Sequence, residues 1–282
     1  MTDPSLTIGV PRARRKKPGP LPYSDLDPAN WREYDDVELG SLWTFASRAR
    51  GNGHANEYHG NYIPQIATQT LRRFTRKGDV VLDMFLGSGT TALEARRLGR
   101  RCVGVEIKKD MAEAVREKFP DDDGVRVVRA DSRTARAANG IRAALEEWER
   151  EQAQFLVLHP PYHDIIRFSD MAGDLSNAAT LEDFLKDFGK VARQGWKLLE
   201  PGRFAVLIIG DKYAGGELVP LGFRCMQEMT DAGFRVKSIV VKNIAGNEVG
   251  KGQRENLWRY RALRGGFYIF KHEYVIIFQK PA

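Results

Sequence analysis

The stretch Asp83-Met84-Phe85-Leu86-Gly87-Ser88-Gly89-Thr90 decides the fold of this chain. It follows an apolar run at 80–82 and precedes a helix-like segment at 91–98. The pattern predicts a buried strand that ends at a carboxylate, turns through glycines and opens a helix. Glycine allows a positive φ and a close approach of a ligand to the backbone, and the helix N-terminus adds unpaired N–H groups. Alone, a Gly-x-Gly turn is a weak signal, because many α/β proteins use one only to fold.

The strand that comes next strengthens the case for a ligand at this turn. Residues 101–105 form an apolar run that ends at Glu106. This is about the spacing at which a nucleotide-binding fold places the acid that binds a ribose. A P-loop is disfavoured, because no Gly-Lys-Ser/Thr follows the first glycine.

Strand and helix patterns alternate along most of the chain, which predicts an α/β fold with a mainly parallel sheet and right-handed crossovers. The predicted strands are 80–83, 101–106, 125–129, 154–158 and 203–209, and the predicted helices lie near 64–73, 90–98, 108–118, 136–151, 181–199 and 218–232. Two later β-rich runs, at 234–241 and 274–278, predict an antiparallel hairpin at one edge of the sheet.

Polar side chains end or follow the first four predicted strands. They are Asp83, Glu106, Asp131 and His159. In an open parallel sheet the ligand crevice lies outside the carboxyl ends of the strands. We therefore expect these four side chains to meet along one edge of the sheet.

Length and composition narrow the class of protein. The 282 residues fit one α/β domain with insertions or at most two small domains, and a hydrophobic content of 42% is enough for a full core. The sequence contains no run of 18 apolar residues, so we expect no membrane-spanning helix. The basic N-terminus lacks the apolar stretch of a signal peptide. Cys102 and Cys225 lie far apart and have no metal or redox spacing. We expect a cytoplasmic protein without a metal site.

Basic residues are in modest excess, 44 Lys and Arg against 37 Asp and Glu, which favours a polyanionic partner. Residues 1–20 are basic and rich in Pro and Gly, and they predict a flexible tail that is either solvated or contacts phosphates. Residues 21–282 are predicted to form a single domain. An insertion at about 243–270 mixes arginines with aromatics and is either a nucleic-acid contact or a solvated face. The candidate contacts in it are Lys251, Arg254 and Arg259.

The second informative stretch is His159-Pro160-Pro161-Tyr162, directly after the apolar run 155–158. Two prolines end the strand and fix the backbone. They hold the side chains of His159 and Tyr162 and the carbonyl of Pro160 at the strand tip. A simple turn would not need this rigidity.

These two stretches resemble the motifs of a known family, the amino-group (N4-cytosine/N6-adenine) DNA methyltransferases. Residues 83–91 resemble the cofactor motif Asp-Pro-Phe-x-Gly-Ser/Thr-Gly-Thr-Thr, with Met84 in place of proline, and 159–162 resemble the catalytic Asp/Ser/Asn-Pro-Pro-Tyr/Phe/Trp, with histidine first. Residues 58–65 are similar to the segment before the cofactor strand, and 272–278 resemble the closing strand. The likeness covers roughly 42–280 and implies a Rossmann-like methyltransferase fold.

The resemblance implies S-adenosyl-L-methionine as cofactor and assigns it ten residues. In this reading Glu106 meets the ribose hydroxyls and Asp131 the adenine amino group, while Asp83 either reaches the methionine amine or caps the glycine turn. The implied cofactor residues are Tyr62, Pro64, Asp83, Phe85, Gly87, Ser88, Gly89, Thr90, Glu106 and Asp131.

The implied catalytic residues are His159, Pro160, Pro161 and Tyr162. The resemblance also implies double-stranded DNA as the partner, with a flipped target base that stacks on Tyr162, and a companion restriction enzyme is compatible with this reading. Neutral histidine offers one acceptor nitrogen to the target amino group, whereas the protonated ring offers none. An unperturbed imidazole titrates near pH 6.5, so an acidic limb is expected there. A neutral first residue resembles serine more than aspartate, which favours cytosine N4 over adenine N6.

Three alternatives remain open from the sequence. An RNA or tRNA base amino methyltransferase has a similar motif, although we find no appended RNA-binding domain. A catalytically decayed DNA-binding module would explain His159 but not the intact glycines and Pro-Pro-Tyr. A dinucleotide oxidoreductase would leave Pro-Pro-Tyr unexplained.

Overall fold

A computed structural model describes residues 21–51, 60–120, 124–244 and 255–282, and in the last range the side chains from 259 onward. Several predictions fall outside these residues. They are the basic tail at 1–20, Tyr58 and His59 of the segment before the cofactor strand, and the candidate contacts Lys251 and Arg254.

The described residues form ten strands, and eight of these make one mixed sheet. The strands in chain order are β1 (Leu42–Trp43), β2 (Val80–Asp83), β3 (Arg101–Glu106), β4 (Val125–Arg129), β5 (Ala153–Leu158), β6 (Leu199–Ile209), β7 (Lys212–Ala214), β8 (Glu217–Val219), β9 (Arg235–Asn243) and β10 (His272–Gln279). Their order in the sheet is β1-β9-β10-β6-β5-β2-β3-β4, and β7 and β8 pair separately.

The helices connect these strands as the alternation predicted. They are α1 (Pro64–Phe74), α2 (Thr90–Arg97), α3 (Lys109–Glu117), α4 (Ala135–Glu146), α5 (Leu181–Leu198), α6 (Leu221–Asp231) and α7 (Glu255–Gly265). The chain runs from β2 outward through β3 to β4 and then returns to β5 on the other side of β2. The reversal makes a topological switch point between β2 and β5, where Rossmann-like sheets bind ligands.

The predicted Rossmann-like class is confirmed, with one correction at the edge. Within the eight-stranded sheet, neighbouring strands are parallel except at β10, which is antiparallel to both β6 and β9. The predicted hairpin strands are therefore neighbours, but the strand outside them is β1, which pairs in parallel with β9. At two residues β1 is too short to give a strand pattern in the sequence.

Helices cover both faces of the sheet and bury its central strands. Every residue of β2 and of β5 is buried, as is usual for parallel strands between two helical layers. One core packs Ile141 of α4, Phe184 of α5 and Met229 of α6 against the sheet. The other core packs Ile66 of α1 and Ala92 of α2 against the opposite face.

Two boundaries differ from the sequence predictions by four residues or more, and one helix was not predicted. Strand β6 begins at Leu199 rather than 203, and α4 ends at Glu146 rather than 151. Helix α7 lies inside the 243–270 insertion, where no helix was predicted. Tyr260 and Leu263 of this helix are exposed, so these two apolar residues do not mark a buried face.

Both cysteines are free and fully buried, and burial raises the pKa of each thiol well above its usual value. Within the ranges the structure covers, no helix is long and apolar enough to span a bilayer. Among the same residues no group of His, Cys, Asp and Glu side chains is suited to hold a metal ion.

Candidate active site

The glycine turn after β2 bends the chain into α2. Gly87 has φ +53°, and Gly89, the N-cap of α2, has φ +89°. Both lie in the left-handed region that favours glycine. A Cβ on Gly89 would also approach Val115 Cγ1 to 3.1 Å. The sequence places glycines at these two positions because other residues would be strained there.

Asp83 lies beneath this turn and is 1% exposed. Its Oδ1 accepts the Phe85 N–H at 2.8 Å, and its Oδ2 accepts the Thr91 hydroxyl. Burial raises the pKa of Asp83 to about 6, against the opposing effect of these two hydrogen bonds. The hydroxyls of Thr91 and Tyr62 are 2.6 Å apart, so Tyr62 joins the network. These contacts are those of a carboxylate that caps the turn.

Glu106 ends β3 and faces the same turn. Its Oε2 accepts the Gly87 N–H at 2.9 Å and its Oε1 accepts the Lys108 N–H at 2.8 Å. Burial raises the pKa of this carboxyl, while the two N–H bonds oppose the shift. A carboxylate oxygen has two lone pairs, so each oxygen keeps one for a further donor. Unlike Asp83, Glu106 lines the cavity and can accept the hydroxyls of a ligand.

Asp131 follows β4 and is held by Arg133. Its carboxylate receives the Arg133 backbone N–H at 2.9 Å and Nη2 of the same residue at 2.7 Å. Arg133 also pairs with Asp187 of α5. Asp131 Oδ2 lies close to Gly173, where a Cβ would approach it to 2.7 Å. Arg133 therefore occupies much of the hydrogen-bonding capacity that the resemblance assigns to a cofactor amino group.

His159 lies between two aromatic rings at the tip of β5. Its ring meets Tyr62 edge-on with centroids 5.2 Å apart, and meets Tyr162 edge-on at 5.9 Å. Among the residues the structure covers, no side chain or backbone group forms a hydrogen bond with its ring nitrogens. Burial lowers the pKa of His159 to about 4, partly offset by the charge of Glu273. At neutral pH the ring is therefore uncharged and keeps an acceptor nitrogen.

Tyr162 is anchored by two residues that the sequence analysis did not single out. Its hydroxyl donates to Glu273 Oε2 at 2.9 Å, and Lys242 Nζ donates to Glu273 Oε1, also at 2.9 Å. Both residues are buried and line the cavity. Their signal in the sequence is a charged residue within, or directly before, an apolar strand, as in Val240-Val241-Lys242.

One cavity of about 280 Å³ joins the two halves of the site. Its predicted lining residues are Tyr62, Phe85, Gly87, Thr90, Glu106, Asp131, His159, Pro160, Pro161 and Tyr162. Four predicted cofactor residues are not in its lining, namely Pro64, Asp83, Ser88 and Gly89. The segment after Tyr162 adds apolar walls that the sequence analysis missed, including Ile165, Ile166, Phe168 and Leu175.

The donor set of this cavity fits S-adenosylmethionine. A carboxylate with spare acceptor positions suits a ribose diol, and a positive-φ glycine allows a close backbone approach. Apolar side chains such as Phe85 and Ile107 line the cavity beside them and suit a purine ring. The fold is Rossmann-like, and this cavity lies where such sheets bind ligands, at the switch point between β2 and β5.

Comparison with known proteins identifies the relatives. Residues 12–117 match the family model described as DNA methylase, N6_N4_Mtase. Type II methyltransferase M2.DpnII of Streptococcus pneumoniae is 29% identical over 85 residues, which are 30% of this chain and 32% of that protein. Type II methyltransferase M.MjaI of Methanocaldococcus jannaschii is 31% identical over 111 residues, 39% of this chain and 35% of the relative.

These matches confirm the predicted resemblance to the amino-group DNA methyltransferases, and they support S-adenosylmethionine as the cofactor. The matches span about a third of the length of these relatives. The family model covers the glycine turn and Glu106 but not 159–162. Among solved structures, TrmN from Thermus thermophilus has 19% identity and a TM-score of 0.48, covering 79% of this chain and 50% of that one.

The candidate DNA contacts are described only in part. Arg259 is exposed on α7, beside the exposed Tyr260. Tyr268, just after this helix, is also exposed. Arg259 is thus accessible to a polyanion, together with aromatic rings that could stack on bases.

Proposed function

We propose that this protein transfers a methyl group from S-adenosylmethionine to the exocyclic amino group of a base in DNA. The observation that carries the proposal is the single cavity that contains both Glu106 and His159-Pro160-Pro161-Tyr162. One end has the groups suited to a nucleoside, and the other has two acceptors and an aromatic ring. A methyl donor and an amino acceptor could thus meet without an intermediate carrier.

At the cofactor end, Glu106 would accept the ribose hydroxyls while its backbone N–H bonds hold the carboxylate in place. Gly87 gives the ligand access to the turn, and Asp83 fixes the shape of that turn from below. When bound, S-adenosylmethionine supplies an electrophilic methyl group. Asp131 would contribute to the adenine only in competition with Arg133.

At the target end, the task is to free an amino lone pair that is conjugated with the base. The His159 ring and the Pro160 carbonyl would each accept one amino N–H and draw it out of the ring plane. This is catalysis by positioning and by preorganised dipoles. Tyr162 would stack on the base, which must leave the duplex to enter such a cavity. The lowered pKa of His159 favours this role, because the acceptor nitrogen is retained at neutral pH.

For the substrate we favour N4 of cytosine at a specific site in duplex DNA. A neutral acceptor at position 159 corresponds in charge to the serine of the Ser-Pro-Pro motif. Arg259, together with Lys251 and Arg254 outside the described residues, would contact the phosphate backbone. The relatives are named type II methyltransferases, so a companion restriction enzyme is part of the proposal.

Nucleoside analysis tests this function. Duplex DNA is incubated with the protein and isotopically labelled S-adenosylmethionine, digested and separated by mass spectrometry, with His159→Ala as the matched control. Labelled N4-methylcytosine is expected from the wild type and not from the variant. Labelled N6-methyladenine would change the target base. Label that enters tRNA but not DNA would indicate the RNA alternative, and label in neither would indicate a decayed site.

A further inference from the structure

Lys242 and Glu273 form a buried ion pair between two antiparallel strands. Glu273 of β10 is the register partner of Lys242 of β9, and their Nζ and Oε1 atoms are 2.9 Å apart. Lys242 is 3% exposed and Glu273 is 8% exposed. Both line the cavity that holds His159. The pair thus brings two charges from the hairpin to the target end of the site.

Stability of the fold does not account for this pair. Removing two charges from water costs free energy that their mutual attraction often fails to recover, and apolar residues of similar volume are often as stable or more so. The next buried residues along the same face of the two strands, Val240 and Val275, are apolar. An apolar pair at 242 and 273 would therefore suit the core at least as well.

The second hydrogen bond of Glu273 indicates what the pair does. Glu273 Oε1 is held by Lys242, which leaves Oε2 directed at the Tyr162 hydroxyl. The backbone at Gly210 lies against the same ring, since a Cβ there would be 3.0 Å from Tyr162 Cε2. Tyr162 is thus fixed at its hydroxyl and supported along one ring edge.

We propose that Lys242 and Glu273 are positioning residues for the target base. They act through Tyr162, whose ring they hold in the orientation in which a flipped base can stack on it. The inference rests on the proposed function and adds to it a pair of residues that neither the motifs nor the relatives assign. Lys242 directs the Glu273 carboxylate, and Glu273 fixes the plane of the aromatic ring.

Three variants test the pair. Tyr162→Phe keeps the stacking ring and removes its hydroxyl. The double variant Lys242→Met/Glu273→Leu replaces the ion pair with apolar side chains of similar size. The triple variant Tyr162→Phe/Lys242→Met/Glu273→Leu completes a double-mutant cycle between Tyr162 and the ion pair. Lys237→Met is the matched control, because it makes the same chemical change at an exposed position of the same strand.

Single-turnover methylation, S-adenosylmethionine affinity by calorimetry and Tm are measured for each. Tyr162→Phe should slow methylation about tenfold, as expected for the loss of one hydrogen bond to a charged group. The double variant should slow it at least as much, with an unchanged or higher Tm and an unchanged cofactor affinity. Adding Tyr162→Phe to the double variant should cause little further loss, because the three residues act as one unit.

A double variant that methylates at the wild-type rate would overturn the inference, and a lowered Tm beside it would mark the pair as structural. The proposed function would survive that result. Full additivity of the two changes would also overturn the inference, because it would separate the pair from Tyr162. Failure of the wild type to methylate any DNA would overturn both.

Discussion

The two ends of the cavity are held in place by different kinds of contact. At the cofactor end, hydrogen bonds from backbone N–H groups hold two carboxylates. Asp83 accepts one from Phe85, and Glu106 accepts one from Gly87 and one from Lys108. At the target end, His159 and Tyr162 contact side chains that are distant in the sequence, Tyr62 before α1 and Glu273 of β10, and the key acceptor is neutral. The cofactor end therefore depends mainly on the two neighbouring strands β2 and β3 and the turn between them, whereas the target end also depends on β9 and β10.

Removing the His159 ring should have the largest effect. His159→Ala should slow methyl transfer by about 10² to 10³, the range for losing one preorganised group at a reacting centre. Its affinity for S-adenosylmethionine should be unchanged, because the cofactor residues lie on other strand tips. His159→Ser should recover part of the rate, since it restores an acceptor. Single-turnover rates and calorimetry test this, and an alanine variant as fast as wild type would contradict the role of the ring.

At the cofactor end, a substitution in the glycine turn should instead lower the affinity for S-adenosylmethionine. Gly87→Val places a β-branched side chain at φ +53°, in a turn that lines the cavity. Cofactor affinity should fall by about 10² or more. Gly78→Val is the control, because Gly78 also has a positive φ and open space around its Cα, and it does not line the cavity. Calorimetry should show normal binding by the Gly78 variant, and equal loss in both would indicate general strain.

The two ends of the cavity should respond differently to pH, one through the methylation rate and the other through the affinity for the cofactor. An unperturbed imidazole would lose its acceptor near pH 6.5, but burial lowers the pKa of His159 to about 4. The expected acidic limb therefore moves below pH 5, and the rate at saturating cofactor should be flat between pH 5.5 and 8.5. Asp83, with its pKa raised to about 6, is protonated as the pH falls through that value, so cofactor affinity should weaken there by roughly threefold.

Two variants assign these titrations. Asp83→Asn should remove the change in cofactor affinity near pH 6 and leave the rate profile flat. A rate limb near pH 6.5 that disappears in His159→Ser would show that the ring titrates as a free imidazole, against the structure.

The smallest effect is expected outside both ends, on DNA affinity. Neutralising Arg254 and Arg259 together should weaken binding and lower the slope of log affinity against log salt by about two, because two phosphates would no longer be neutralised by the protein. Arg142→Ala, on the exposed side of α4, should leave the slope unchanged. Binding titrations over a range of salt concentrations measure both, and an unchanged slope in the double variant would make the arginines part of a solvated face.

The contrast between the two ends also explains what the sequence could predict. The glycine turn, Glu106 and Pro-Pro-Tyr are contiguous or locally spaced, so their patterns are visible and the strands that carry them were found. The contact of Lys242 with Glu273 joins positions 31 residues apart, and that of Tyr162 with Glu273 spans 111. Such pairs follow from strand order and register, which no local pattern encodes. Arg133 lies only two residues from Asp131, but it was missed because the second carboxylate that holds its side chain, Asp187 of α5, is 54 residues away in the sequence.

The position of β10 has a consequence for the order in which the protein can assemble. Strand β10 is synthesised after β9 yet pairs between β9 and β6. While 272–279 are still in the ribosome, β6 and β9 have no common neighbour, and the sheet ends at β6. Domains generally fold as units. The sheet is therefore completed only when β10 is inserted between two strands that were made before it, and the same step gives Tyr162 its anchor on Glu273.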